Sequence, residues 1–260
     1  MADAAVLVLA AGLLIGLRAH GFDLPLETDE CNYAYIATRL VAGDSLYVDV
    51  WDHQPPGIFV LFAAVVGVFG NDPLVFRWMA VAASLVTMVL LFAVARRAGG
   101  RPAAYLAAGL FALCSADPGM AGEGCNRELF MNPFALAAVW LLLRREMPSR
   151  RDVVLAGLML GLASTIKTIV AAQWAVLCLW LVVRAWRSAE PERRLRAAAV
   201  ALLAFGVGPL AVWFAAVGHY VANGRVVEFW EAAFLFNLEY MGTEGGYGQR
   251  FLDFFRAPIH

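Results

Sequence analysis

The chain has 260 residues, 62% hydrophobic and only 16% charged, against roughly a quarter charged in an average soluble domain. With a mean hydropathy of +0.68, this excludes a soluble globular protein and defines an integral membrane protein. The formal net charge of −1 says nothing about partners, whereas the placement of the charges says a great deal.

The first apolar segment, about 4 to 18, has no basic residue ahead of it and no small-residue cleavage pattern behind it, so it is expected to stay as a helix. An acidic stretch follows, with Asp23, Glu27, Asp29, Glu30, Asp44, Asp49 and Asp52. Within it, Tyr33, Ile36, Ala37, Leu40 and Val41 recur at helical spacing before Gly43. The run "PPGIFVLFAAVVGVFG", residues 55 to 70, offers about 14 residues after its prolines, roughly 21 Å of helix, too short for a hydrocarbon layer of about 30 Å. It is expected to lie along the outer interface.

Further helices are predicted at about 74 to 95, 103 to 116, 129 to 143, 153 to 166, 169 to 183 and 197 to 217. With the first, they make seven transmembrane helices, an all-α, multi-pass bundle. Arg96, Arg97 and Arg101, then Arg144, Arg145, Arg150 and Arg151, then Arg184, Arg187, Arg193, Arg194 and Arg196 crowd three short loops. The positive-inside rule makes those loops cytoplasmic. The module 1–217, its loops 19–73 and 117–128 and the tail 218–260 follow, with loops and tail outside. All but Asp3, Glu146, Asp152, Glu190 and Glu192 of the twenty-one acids then face outward. The chain is expected to continue past residue 260 in a longer protein.

No phosphate-binding glycine loop, zinc-type Cys and His spacing or Ser-His-Asp arrangement is present, and nothing points to nucleic acid. "GTEGGYG", 242 to 248, reads as a flexible loop. Cys31 and Cys125 both fall in outer segments and could form a disulfide only if those segments meet.

Several outer residues could carry chemistry. Asp29 and Glu30 sit at a helix N-terminus, where they cap it and complement its dipole; adjacent carboxylates can equally orient a hydroxyl and take its proton. The second outer loop, "SADPGMAGEGCNRELF", brings Glu123, Asn126, Arg127 and Glu128 to the start of another helix. Lys167, the only lysine beside nineteen arginines, lies at an outer helix end. It either snorkels or supplies a point charge for a lipid-linked phosphate.

"TDECNYAYIATRLVAGDSLYVDVWDHQPPG", "GEGCNRELFMNPFALAAVWLLL", "GLMLGLASTIKT" and "FWEAAFLFNLEYMG" together resemble the N-terminal half of a GT-C superfamily glycosyltransferase. The nearest group is family 39, which includes protein O-mannosyltransferases and lipid A aminoarabinose transferases. The resemblance implies a GT-C-type helical bundle whose first outer loop carries interfacial helices. It also implies a membrane glycosyltransferase that moves a sugar from a polyprenyl-phosphate carrier to an acceptor hydroxyl on the extracytoplasmic face of the cell membrane, with inversion. Asp29 resembles the catalytic base, Glu30 a neighbour that holds the acceptor or shapes the site, and Glu128 the second acid. Tyr33, His53, Gln54, Glu123, Asn126, Arg127 and Lys167 are candidate substrate-binding residues. Relatives often carry Lys before Pro-Pro where this chain has His53 and Gln54, so Lys167 is the first candidate for the carrier phosphate, with His53 and Arg127 behind it.

The resemblance implies a lipid-linked sugar as donor and names no further cofactor. A divalent metal on Asp29, Glu30 and Glu128 stays open on the residues alone, while the resemblance implies metal-free transfer. The competing readings are a transporter or flippase of a lipid-linked saccharide and a non-catalytic module. Donor sugar and acceptor, whether protein, lipid or glycan, are not legible.

Overall fold

The structure, a computed structural model, describes residues 1–117 and 124–238. Its helices are α1 (Ala2–Ala19), α2 (Thr28–Val41), α3 (Gly57–Phe69), α4 (Pro73–Cys114), α5 (Arg127–Leu143), α6 (Arg150–Ile166), α7 (Val170–Ser188), α8 (Arg194–Ala222) and the short α9 (Val226–Trp230), which runs into a π-helical turn, Glu231–Leu235. No β-strand occurs among the described residues; Leu46 and Val50 form an isolated bridge. α1, α4, α7 and the stretch Pro191–Ala222 are each long and apolar enough to cross a bilayer. The chain is an all-α membrane protein.

α4 has 42 residues, about 63 Å if straight, twice the hydrocarbon thickness. It is not straight. Gly100 adopts φ 76°, ψ −165°, backbone that a residue with a Cβ avoids, and Pro102 follows it. The two arms fold back on each other. Phe92 and Tyr105 stack at 6.2 Å, and Val81, Met88 and Phe92 of one arm share a core with Ala104, Ala108 and Ala112 of the other and Leu14 of α1. The two helices expected on either side of the Arg96 to Arg101 loop are these arms.

The bundle has two chemically distinct ends. At one, Asp3 pairs with Arg96 and with Arg101 at 3.6 Å and accepts from Tyr105 Oη at 2.8 Å. Asp152 pairs there with Arg144 and Arg145 and accepts from Ser149, its capping partner. Arg97 donates to the Leu143 carbonyl at 3.0 Å. The first arginine loop thus meets α1's first turn at this end, and Arg184 of the third loop lines a small pocket there with Arg97 and Arg145.

At the other end lie α2, α3 and the chain around 124–126. α3, at 13 residues roughly 20 Å long, packs through Phe62 against Phe76 and Phe130, near the starts of α4 and α5. Gly57 abuts Thr165, where a Cβ would lie 2.4 Å from Oγ1. Its contacts thus fall at one end of the bundle, as an interfacial helix requires. Described tail residues pack here too: Phe229 lies parallel to Tyr220 at 4.4 Å and touches Tyr47.

Between the ends, α6 and α8 touch backbone to backbone. A Cβ on Gly157 would sit 2.0 Å from the Phe205 carbonyl oxygen, and one on Gly208 would sit 2.0 Å from the Leu158 nitrogen. In lipid, where apolar surface gains little by leaving one hydrocarbon for another, such close approach is how helices associate.

Candidate functional site

Glu27 opens α2 with a capping box closed by Glu30, whose Oε2 accepts from the Glu27 N–H at 3.1 Å. Glu30 has no exposed surface. Its Oε2 also meets Arg77 Nη1 at 3.2 Å, and its Oε1 accepts the Cys125 N–H. Arg77, 3% exposed, further donates to the Leu24 and Pro25 carbonyls at 3.2 and 2.8 Å. Arg18, at the end of α1, donates to the carbonyls of Ser115 (2.8 Å) and Gly124 (2.6 Å). This network clamps the chain around 24–30 to that around 115–125. Both Glu30 oxygens are engaged within the protein, the geometry of a residue that shapes the site.

The clamp leaves Asp29, one residue earlier, exposed. Asp29 lines a cleft of about 440 Å³ with Leu26, Glu27, Thr28 and, from the second segment, Asn126. One turn along α2, Tyr33 Oη donates to Asp29 Oδ2 at 3.5 Å while its ring is held edge-on between Phe59 and Phe62. Burial raises the Tyr33 phenol above its ordinary value; Arg127 opposes this, and the carboxylates of Asp29, Asp52 and Glu128 reinforce it. Asn126, two residues before Glu128, brings the second segment to the Asp29 cleft.

Glu128 lies in the first turn of α5 and forms an ion pair with Lys167 at the C-terminus of α6. The carboxylate is half exposed, and Lys167 less so. In sequence Lys167 lies between Ser164 and Val170, which line a cavity of about 910 Å³ formed by α6, α7 and α8 with Trp174, Pro209 and Trp213. Its few polar groups are satisfied, as Trp213 Nε1 donates to Ser164 Oγ at 2.9 Å.

The segment "WDHQPPG" forms a turn. Gln54 N–H donates to Asp52 Oδ1 at 2.8 Å and Asn32 Nδ2 to Asp52 Oδ2 at 2.6 Å. Burial raises the Asp52 carboxyl above the usual carboxylate range, against the opposing pull of the Gln54 N–H, His53 and Arg127. His53 Nδ1 stands 3.7 Å from Asp52, and its Nε2 contacts Gln54 Nε2 at 2.8 Å. The His53 carbonyl accepts Asn237 Nδ2 at 2.7 Å and the Gln54 carbonyl accepts Tyr47 Oη at 2.6 Å. Tyr47 holds φ 71°, a left-handed conformation uncommon for a bulky residue.

Asp29, Tyr33, His53, Gln54, Asn126, Arg127, Glu128 and Lys167 therefore come to one end of the bundle. Glu123 lies outside the described residues, as do 242 to 248. Among the described residues no set of three His, Cys, Asp or Glu side chains gathers as a metal site, so Asp29, Glu30 and Glu128 do not form the cation cage considered from the sequence. Cys31 and Cys125 are free thiols, one exposed and the other buried; the conceivable disulfide is not formed. Sequence reasoning missed the Arg18, Arg77 and Glu30 clamp and the Asn32 to Asp52 bond. Two arginines at the ends of apolar helices on the side that the positive-inside rule leaves poor in arginine were the available signal.

Comparison with known proteins places this helical membrane bundle, with acids and one lysine gathered at the end opposite its arginine loops, among membrane glycosyltransferases of the GT-C type. The family model described as dolichyl-phosphate-mannose-protein mannosyltransferase matches residues 53–213, and the chain belongs to that family. No curated protein and no solved structure matches the chain.

Proposed function

We propose that the protein transfers a sugar from a polyprenyl-phosphate carrier to an acceptor hydroxyl on the extracytoplasmic face, with inversion at the anomeric carbon. One observation carries this reading. Asp29 meets the Tyr33 hydroxyl and shares a cleft with Asn126, two residues before Glu128, and the lysine paired with Glu128 lies in sequence between Ser164 and Val170, which line a large apolar cavity.

The chemistry assigns each group a task. Asp29 takes the proton of the acceptor hydroxyl. The hydroxyl oxygen bonds to the anomeric carbon as the bond from that carbon to the carrier phosphate oxygen breaks, and the polyprenyl phosphate leaves. Charge develops on the departing phosphate, and a donor already aimed there lowers the barrier. Lys167 has three N–H donors; Glu128 takes one and fixes the ammonium, and the remainder serve the phosphate. The α6, α7 and α8 cavity accepts the prenyl chain beside it. Glu30, Arg77 and Arg18 keep the two acidic segments in register. The extracytoplasmic assignment rests on the arginine loops at the opposite end.

The reading is tested by supplying the purified protein with a panel of polyprenyl-phosphate sugars and measuring sugar release. Activity should depend on the carrier phosphate and fall sharply in Asp29→Asn. Undiminished transfer by that variant, or no transfer from any carrier-linked sugar, contradicts the proposal.

A further inference from the structure

The arginine end contains a cavity that the transfer reaction does not use. It measures about 580 Å³ and lies between the starts of α6 and α8, lined by Pro148, Arg150, Val153, Arg193, Arg196, Ala197, Val200, Ala201 and Ala204. Its lining divides by chemistry. Arg150, Arg193 and Arg196 stand at the rim, and small apolar side chains continue from them along the two helices.

No ion pair engages the rim arginines among the described residues, Glu190 and Glu192 of the same loop included. Asp152, the nearest acid in sequence to Arg150, is buried and already taken by Arg144, Arg145 and Ser149. Deeper in the bundle, the glycine contacts at Gly157 and Gly208 bring α6 and α8 to backbone contact. The cavity therefore closes below Ala204 and opens toward the polar end. A slot with three free guanidinium groups above an apolar floor, on a helix pair within a bilayer, matches an amphiphile with a negative head.

We propose that this cavity is a binding site for an anionic phospholipid of the bilayer, its phosphate held by Arg150, Arg193 and Arg196 and the upper part of one acyl chain laid against Val153, Val200, Ala201 and Ala204. The site is independent of the sugar-transfer reading and lies at the opposite end of the molecule. Topology alone explains arginines at this end; it does not explain three of them, unpaired, around one amphipathic slot.

The test is lipid binding to the detergent-solubilised full chain by native mass spectrometry, titrating phosphatidylglycerol, phosphatidylcholine and inorganic phosphate separately. Phosphatidylglycerol should saturate at one tight copy. The exposed triple variant R150Q/R193Q/R196Q should weaken that binding on the order of a hundredfold, from about a fivefold loss for each arginine near a lipid phosphate. The control R101Q/R151Q/R187Q removes the same charge from the same end without touching the cavity, and should bind as wild type does. Ala201→Phe, which fills the apolar floor and spares every charge, should also weaken binding. Equal affinity for phosphatidylcholine, an equal loss in the control, or unchanged binding in the site triple would overturn the proposal. Inorganic phosphate competing as strongly as the lipid would show a simple anion site and overturn it too.

Discussion

Arg77 Nη1 lies 3.2 Å from Glu30 Oε2, and these two side chains are 3% and 0% exposed. They join α4 to the first turn of α2, and the same carboxylate holds the Cys125 N–H of the second acidic segment. A buried ion pair is no efficient source of net stability, but removing one member strands the other. Its value here is positional, because it fixes Asp29 beside Asn126.

Glu30→Gln should accordingly cost about 3 kcal/mol or more of stability, since the Arg77 guanidinium loses its carboxylate. Thermal unfolding in detergent measures this. A variant as stable as wild type would show that the clamp is not structural.

Asp29→Asn should behave in the opposite way. The residue is exposed, so stability should change by less than about 0.5 kcal/mol, whereas turnover with a lipid-linked sugar should fall by about 10² to 10⁴. Equal damage from Asp29→Asn and Glu30→Gln in both measurements would refute the division of labour.

Lys167→Gln should leave stability within about 1 kcal/mol, because its pair with Glu128 is partly exposed. Transfer should nevertheless drop about a hundredfold or more if the ammonium faces the leaving phosphate. Glu128→Gln keeps the lysine and should cost less than Lys167→Gln; the reverse order in steady-state rates counts against the assignment.

Asp52 supplies a pH signature. Its folded carboxyl is held above the ordinary carboxylate value by burial, so the folded state binds the proton more tightly than the unfolded chain does. The stability this contributes is fully present below the unfolded value, near 4, and is lost as pH rises through the raised folded value. Wild type should therefore lose stability across that window relative to Asp52→Asn, measured by unfolding at a series of pH values. A difference of opposite slope would mean that the folded carboxyl is depressed.

Gly157→Ala should cost about 1 to 3 kcal/mol, since its Cβ would stand 2.0 Å from the Phe205 carbonyl oxygen. Gly218→Ala, with nothing within 4 Å of its added carbon, is the control and should be neutral or slightly stabilising within a helix.

Much of this protein was legible without coordinates. Apolar runs of bilayer length, arginine loops at alternate helix ends and an acidic segment too polar to enter lipid dictate an all-α membrane bundle, because lipid leaves backbone groups no other partner. The shortness of α3 was readable from its apolar run. The separate fates of Asp29 and Glu30 were not: adjacent carboxylates at a helix start look alike in sequence. Only the approach of Arg77, 47 positions away, and of Cys125, 95 away, buries one and leaves the other in the cleft. The cavities followed the same rule, since the α6 and α8 glycines set where the two helices touch and where they part. Local composition determined which segments enter the membrane and which end is basic; long-range packing alone decided which charges meet, because desolvation and pairing depend on neighbours that sequence order does not reveal.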